Sequence, residues 1–406
     1  QVEDIALFAL NLPLPKKIHQ WIKASEADGE LQNLEINWSE SKSALSSLPI
    51  PGNWFASNKL DFAISAKLND ISFTGVNKSM PSVAHLSGNL TSNQKQGNFT
   101  IDSSNLELEM SDFLSASQIQ LDRAKGEISW SKQKGGWLIN TKQLQLSNPE
   151  ITTNFDLSYL IGAPKQADQM TLDMEFVKAK LASAHRYLPI TMDKDSRQYL
   201  SKAFESGEIQ SGTLHVKGDP DQIPFPTGQA GELTLHLPIS KAIYKPSPLL
   251  PTNQGIWSAF TNVSGNIDMK QSTLTVDIDK AAYKKVALAN VRAQIPNVSA
   301  KQMTLLINGV ANGDGSDMLD YLFASPVGIQ QPHLAKNLSL TGPVNLDLGI
   351  KIPLSGSDDA NFDAKLMLPG NKVQWEGIPP LENLKGRIRI TENNPEFEDV
   401  SANFLG

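Results

Sequence analysis

The chain has 406 residues, with 36 Lys and Arg against 43 Asp and Glu for a net charge of −7, and it contains no cysteine. The acidic balance and the lack of any Lys/Arg-rich run exclude the basic footprint that nucleic acid requires. Without thiols there is no disulfide framework, thiolate metal site or cysteine nucleophile, while a hydrophobic content of 40% allows a sizeable core.

No signal peptide and no run of about 18 apolar residues is present. The chain opens on Gln1 in what reads as a strand (Ile5, Leu7) and stops at Phe404-Leu405-Gly406. It therefore reads as an internal segment, with any membrane anchor outside it. Ile18, Trp21 and Ile22 form a helical stripe, and Pro15 and Gly29 suit its two ends, which predicts a helix over Pro15–Asp28. A strand with Leu34, Ile36 and Trp38 follows.

Further on, Leu106, Leu108 and Met110 alternate with Asn105, Glu107 and Glu109, the period-two pattern of a strand with one dry face. Phe155 and Leu157 repeat it, as do Met170, Leu172, Met174 and Phe176. A second helix is predicted over Asp193–Ser206 from Tyr199, Leu200, Ala203 and Phe204, stopped by Gly207. Alternation resumes in Leu233, Leu235 and Leu237, and again in Leu274, Val276 and Ile278. A third helix, from about Ser316 to Ala324, groups Met318, Leu319 and Leu322 before Pro326 blocks it. Val344, Leu346, Leu348 and Ile350 form the last long alternating run.

Two internal repeats stand out. Trp21-Ile22 through Gly29-Glu30-Leu31-Gln32 corresponds to Tyr199-Leu200 through Gly207-Glu208-Ile209-Gln210, so helix, glycine and return strand recur as one unit. Asn262-Val263-Ser264-Gly265-Asn266-Ile267 corresponds to Asn383-Leu384-Lys385-Gly386-Arg387-Ile388, with weaker copies at Leu86–Leu90 and Ala124–Ile128. Glycine inside such a strand marks a bulge or a close backbone approach, and predicts a bend in a long sheet. The Pro/Gly clusters near 218–228 and 245–255 are the internal boundaries, dividing one body, 1–406, into 1–187, 188–245 and 246–406.

The residues offer no reaction centre. The histidines His19, His85, His185, His215, His236 and His333 have no metal-ligand spacing, and no Gly-x-Ser-x-Gly elbow occurs. Gly313-Asp314-Gly315-Ser316-Asp317 lacks the spacing of an EF-hand and the lysine of a P-loop. It is read as a strand-to-helix turn in which Ser316 or Asp317 caps the helix. Asp358-Asp359, and Glu107 with Glu109, are read as solvated carboxylates. No enzymatic activity, cofactor or metal is expected.

The expected fold is mainly β: an elongated, curled antiparallel sheet forming a taco-like apolar groove, with a few short helices. The groove candidates are Leu106, Leu108, Met110, Phe155, Leu157, Leu172, Met174, Phe176, Leu233, Leu235, Leu237, Leu274, Val276, Ile278, Leu346, Leu348 and Ile350. Each of them could instead be an ordinary core contact.

Several stretches read together resemble a known family. They are Gly135-Gly136-Trp137 through Leu144–Pro149, Tyr187-Leu188-Pro189, Gly218–Phe225, Tyr244 with Trp257–Ile267, and Ile378–Gly386 through Phe404-Leu405-Gly406. In this order they resemble the YhdP proteins, long AsmA-like proteins of the Gram-negative envelope. The resemblance implies a periplasmic body, anchored in the inner membrane by parts outside this segment. It also implies transport of phospholipid between inner and outer membrane, in support of the permeability barrier, with acyl chains and the two membranes as partners and nucleic acid as none. An envelope scaffold or adhesin of stacked β-sandwiches is the competing reading, although repeats offset by 178 and 121 residues fit tandem sandwiches poorly. A polysaccharide-acting β-helix would repeat every 20 to 30 residues, a period the chain lacks.

Overall fold

In a computed structural model the described residues are 2, 23–40, 60–75, 81–163, 165–226, 228–354, 360–391 and 395–405. The helix expected over Pro15–Asp28 lies mostly outside them, with Lys23–Ser25 helical. His19 and Asp358-Asp359 lie outside them altogether.

The described residues are mainly strand. In chain order these are β1 (Asp28–Glu40), β2 (Leu60–Phe73), β3 (Ser82–Asn93), β4 (Gln96–Glu109), β5 (Gln118–Gln133), β6 (Gly136–Ser147), β7 (Ile151–Gly162) and β8 (Gln169–Lys180). Helix α1 (Lys194–Ala203) leads to β9 (Phe204–Gly218), β10 (Glu232–Tyr244), β11 (Phe260–Lys270), β12 (Thr273–Tyr283), β13 (Val286–Ile295) and β14 (Thr304–Asp314). After α2 (Gly315–Ala324) and α3 (Pro332–Asn337) come β15 (Leu338–Thr341), β16 (Pro343–Pro353), β17 (Asn361–Trp375), β18 (Leu381–Thr391) and β19 (Pro395–Phe404). The mainly β, antiparallel architecture with few short helices is as expected.

The chain divides into two compact units. The first comprises Gln1–Val177, His185–Asp193 and His215–Asp221, and the second Lys178–Ala184, Lys194–Leu214 and Gln222–Gly406. In the first unit β1 to β8 form an antiparallel ladder in sequence order. In the second, β9 to β14 pair in order, β16 pairs directly with β14, and β17 to β19 continue the ladder, with short β15 on β17.

Many of the long strands are kinked. Asp70, His85, Asn105 and Gln143 in the first unit, and Lys241, Asn262, Asn290, Asn383 and Asp399 in the second, have φ between 48° and 64°. Most of them coincide with register shifts, for example between Leu68 and Ile71, Thr141 and Leu144, Thr261 and Ser264, and Glu382 and Lys385. A polar residue in the left-handed region puts two neighbouring side chains out of alternation and bends the strand. The residue after each kink is apolar, and Ile71, Leu106, Leu144, Ala242, Val263 and Leu384 are all buried. The Asn-apolar-x-Gly repeat is thus the written form of the bulge, as the glycine pattern predicted. At Gly265 the strands touch, since a Cβ there would lie 2.1 Å from the Asp277 carbonyl oxygen. Because that neighbour is backbone, Gly265→Ala is expected to destabilise by about 1–3 kcal/mol. Calorimetry should show a fall of about 5 °C in Tm, and an unchanged Tm would contradict the close approach.

The bends fold each ladder over its own apolar face. In the first unit Leu106, Leu121 and Ala124 are 3%, 2% and 0% exposed within a cluster that includes Phe99, Ile101, Ile119 and Leu144. A flat single-layered sheet leaves such side chains half in water, so burial this deep requires curvature. Loop residues Leu114 and Ala116, with Tyr187, supply the remaining cover. Backbone groups inside the bend are answered by buried hydroxyls. Ser103 Oγ accepts from Ser87 N at 2.8 Å and donates to Ser87 O at 3.1 Å, and Leu157 N donates to Thr141 Oγ1 at 2.9 Å.

Two local expectations are corrected. The helix expected over Asp193–Ser206 ends at Ala203, because Phe204 already opens β9. Gly207 (φ 136°) and its counterpart Gly29 (φ 118°) therefore lie inside return strands and do not close helices. A Cβ on Gly207 would press on Ala242 and Leu181, and one on Gly29 on the backbone of Asp70 and Ile71. At α2 the expected span holds, but the cap is Asp314, whose Oδ1 accepts from Ser316 N at 2.9 Å and Ser316 Oγ at 2.7 Å. Those bonds hold the Asp314 carboxyl below its usual range.

Candidate functional site

Pairing register shows what alternation alone does not. In the second unit one cross-strand row runs Leu237, Ile267, Val276, Ala293, Ile307, Ile350 and Phe362, one residue from each of seven neighbouring strands. All seven are apolar. Six are half-buried and Phe362 is exposed, so the row is neither a sealed core nor an ordinary wet face. Four residues further along β14, β16 and β17, and five along β13 across its bulge, a second row on the same side runs Leu288, Ala311, Leu346 and Leu366 and continues into Ile388 and Phe397. Gly309, Leu348, Ala364 and Ile390 fill the space between the two rows.

The opposite side carries the charge. Across it run Asp277, Arg292, Asn308, Gly349 and Asp363 in register. Arg292 holds Asp277 with two hydrogen bonds of 2.6 and 2.9 Å, and Arg389 holds Asp363 with two of 2.9 Å. These bonds lower the Asp363 pKa and raise those of both arginines. On this side His236 meets Asp268 at 2.7 Å, and in the first unit His85 and His215 meet Asp70 and Asp173 at the same distance. Glu107 likewise accepts from Gln118 and Gln120.

The sequence candidates fall into three settings. Leu106, Leu108, Met110 and Phe155 belong to the packed cluster of the first unit, and Leu157 faces Thr141 beside it. Leu172, Met174 and Phe176 are half-buried along β8. On β10, Leu233 is buried, Leu235 pairs with Met269, and Leu237 starts the seven-strand row. Leu274 pairs with Met269 and Ile295, Val276 is in the seven-strand row, and Ile278 faces Gly265 and Val291. Leu346, Leu348 and Ile350 supply one member to each of the three apolar rows on β16.

Sequence reading missed Ile267, Ile307, Phe362, Leu366 and Ile388. Leu305, Leu306 and Ile307 form an unbroken apolar run, and Met367 puts an apolar residue on the polar face beside Leu366, so neither strand shows clean alternation.

Helix α2 lies against this apolar side. Met318 packs on the cluster of Val344, Leu368 and Leu384, together with Leu340, Leu366, Val373 and Ile388. One turn on, Tyr321 is ringed by Trp257, Phe260 and Tyr283 at centroid distances of 5.4, 5.2 and 4.9 Å, and burial pushes its hydroxyl pKa well up. Lys284 reaches Asp320 at 2.7 Å and Asp317 at 3.9 Å from outside. Among the described residues no three His, Asp or Glu side chains are grouped to hold a metal ion.

The family model of the YhdP protein matches residues 1–406. The intermembrane phospholipid transporter YhdP of Escherichia coli (strain K12) is 23% identical over 331 residues, which are 81% of this chain and 25% of that protein. The chain thus spans about a quarter of the length of that relative. No solved structure matches it.

Proposed function

The chain belongs to the YhdP family, and from that premise we propose that it is a stretch of lipid conduit, carrying phospholipid acyl chains along its apolar rows without catalysis. The observation that carries this reading is the seven-strand row of in-register apolar residues left half-open to solvent. Moving a phospholipid through water exposes two tails at about 0.8 kcal/mol per CH₂, or roughly 20–25 kcal/mol in all. A path must therefore be dry along its whole length. Because burial of hydrocarbon is non-directional, a row without polar gaps gives a tail many equivalent positions and no deep trap.

The E. coli relative, an intermembrane phospholipid transporter, suggests the class of cargo and the setting. On that basis the conduit lies in the periplasm of a Gram-negative envelope, and links to inner and outer membrane are made by other parts of the longer protein. The bidentate Arg–Asp pairs keep the other face wetted and suit it to that aqueous setting. Native mass spectrometry of the purified chain, with extraction of the lipid carried through purification, tests the proposal. Adducts of phospholipid mass are expected, and a chain that stays lipid-free after incubation with phosphatidylethanolamine vesicles would sink the reading.

A further inference from the structure

We propose that a lysine-bearing hairpin rim of the first unit holds the phosphodiester of a phospholipid whose tails lie on the apolar face below it. The proposal rests on the lipid reading above and adds to it the place of the headgroup. The apolar face of the first unit opens toward one end of its strands: Leu106 and Leu121 at the bend are 3% and 2% exposed, while Trp137 and Ile161 near the hairpin tips are 37% and 43% exposed. Register sets three rows on that face in order. Phe99, Ile128, Thr141 and Leu157 form the first, Trp130, Ile139 and Tyr159 the second, and Lys132, Trp137 and Ile161 the third. Two residues along a strand advance about 7 Å, so each row is one such step from the next. Hydrocarbon, then Trp and Tyr, then a cation is the order met on leaving the core of a leaflet, whose polar layer is about 5–8 Å deep. Trp130 is held in its layer by packing on the buried cluster and by lying over Gly97, where a Cβ would fall 2.2 Å from the indole ring.

The rim itself is one connected surface. Lys132 N donates to Lys95 O at 2.7 Å and Ala163 N to Gly135 O at 2.7 Å, which joins the tips of the β3–β4, β5–β6 and β7–β8 hairpins. Residues 93–96, 131–136 and 162–168 carry Lys95, Lys132, Lys134 and Lys165 against a single acid, Asp168. That acid is already engaged, since Tyr159 OH donates to its Oδ2 at 2.7 Å and Gly162 N to its Oδ1 at 2.8 Å. All four lysines are exposed, and among the described residues none of them is in an ion pair. In a chain of net charge −7 this rim is a local reversal of sign, and it draws anions. Lysines alone would suit any anion. The aromatic and apolar rows directly beneath them suit one that carries hydrocarbon.

The test compares two probes by titration calorimetry on the whole chain: dihexanoylphosphatidylglycerol below its micelle concentration, and dihexanoylglycerol, which has the same tails and no phosphate. The variant combines Lys95→Gln, Lys132→Gln, Lys134→Gln and Lys165→Gln, all at exposed positions where folding has little to lose. Its affinity for the phospholipid should fall about tenfold, while its affinity for dihexanoylglycerol stays at the wild-type value. The matching set of Lys→Arg changes should keep phospholipid affinity, and added salt should weaken binding of the phospholipid alone. Unchanged phospholipid affinity in the Gln variant, or an equal loss for both lipids, overturns the proposal while leaving the conduit intact. Inorganic phosphate binding as tightly as the phospholipid would make the rim a free-anion site and also overturns it. Should the substitutions abolish only sedimentation with phosphatidylglycerol vesicles, the rim docks a membrane surface and the proposal fails. No binding of either lipid by the wild type overturns the conduit and this site with it.

Discussion

Val276→Asp is expected to stop lipid passage by a factor of about a hundred or more while leaving the protein folded. Val276 stands third in the seven-strand row, between Ile267 and Ala293, and is half-buried. In the empty protein a carboxylate there keeps much of its water, so folding loses little. Once a tail covers the row, that water must leave, and no cation in the row replaces it. The cost of an unpaired charge in hydrocarbon, several kcal/mol, then falls on the occupied state alone. Thermal unfolding should shift by a few degrees at most, while the rate of fluorescent-lipid transfer between donor and acceptor vesicles falls to background. A mutant that transfers lipid normally would show that the row is not the path. A mutant that fails to fold would show that Val276 lies in a closed core.

The elements were more legible than their alignment. Alternation located β4, β10, β12 and β16 because each keeps strict period two over its apolar stretch, and α2 was bounded within a residue by its polar cap and by Pro326. The repeated Asn-apolar-x-Gly announced the bulges. Two things were hidden for physical reasons. Glycine after a helical pattern suggested a helix stop, yet pairing with the next strand claimed the last helical turn at Phe204 and left Gly207 as a contact point. The apolar rows depend on register, which is fixed by the partner strand; Leu237 and Phe362 are joined only through five intervening strands. For the same reason sequence alternation could not separate Leu106, sealed in a cluster, from Val276, left half-open, although both read alike.

Leu121→Asp should show the opposite response to the same kind of change. Leu121 is 2% exposed, pairs with Leu106, and lies in the folded-over cluster of the first unit. Here the aspartate has no water to keep even when no lipid is present, so the penalty falls on the folded state itself. Several kcal/mol is a large part of the 5–15 kcal/mol that holds an ordinary domain together. Amide-exchange protection of β4 and β5 should collapse. Leu121→Ala provides the graded companion, expected to cost about 2–5 kcal/mol from lost burial and the cavity left behind. The two sites separate two roles: in the first unit side chains sealed against each other at a bend supply stability, and in the second the half-open row is the proposed path. If Leu121→Asp keeps wild-type protection in β4 and β5, the first unit has no sealed bend, and its curvature would need another cause.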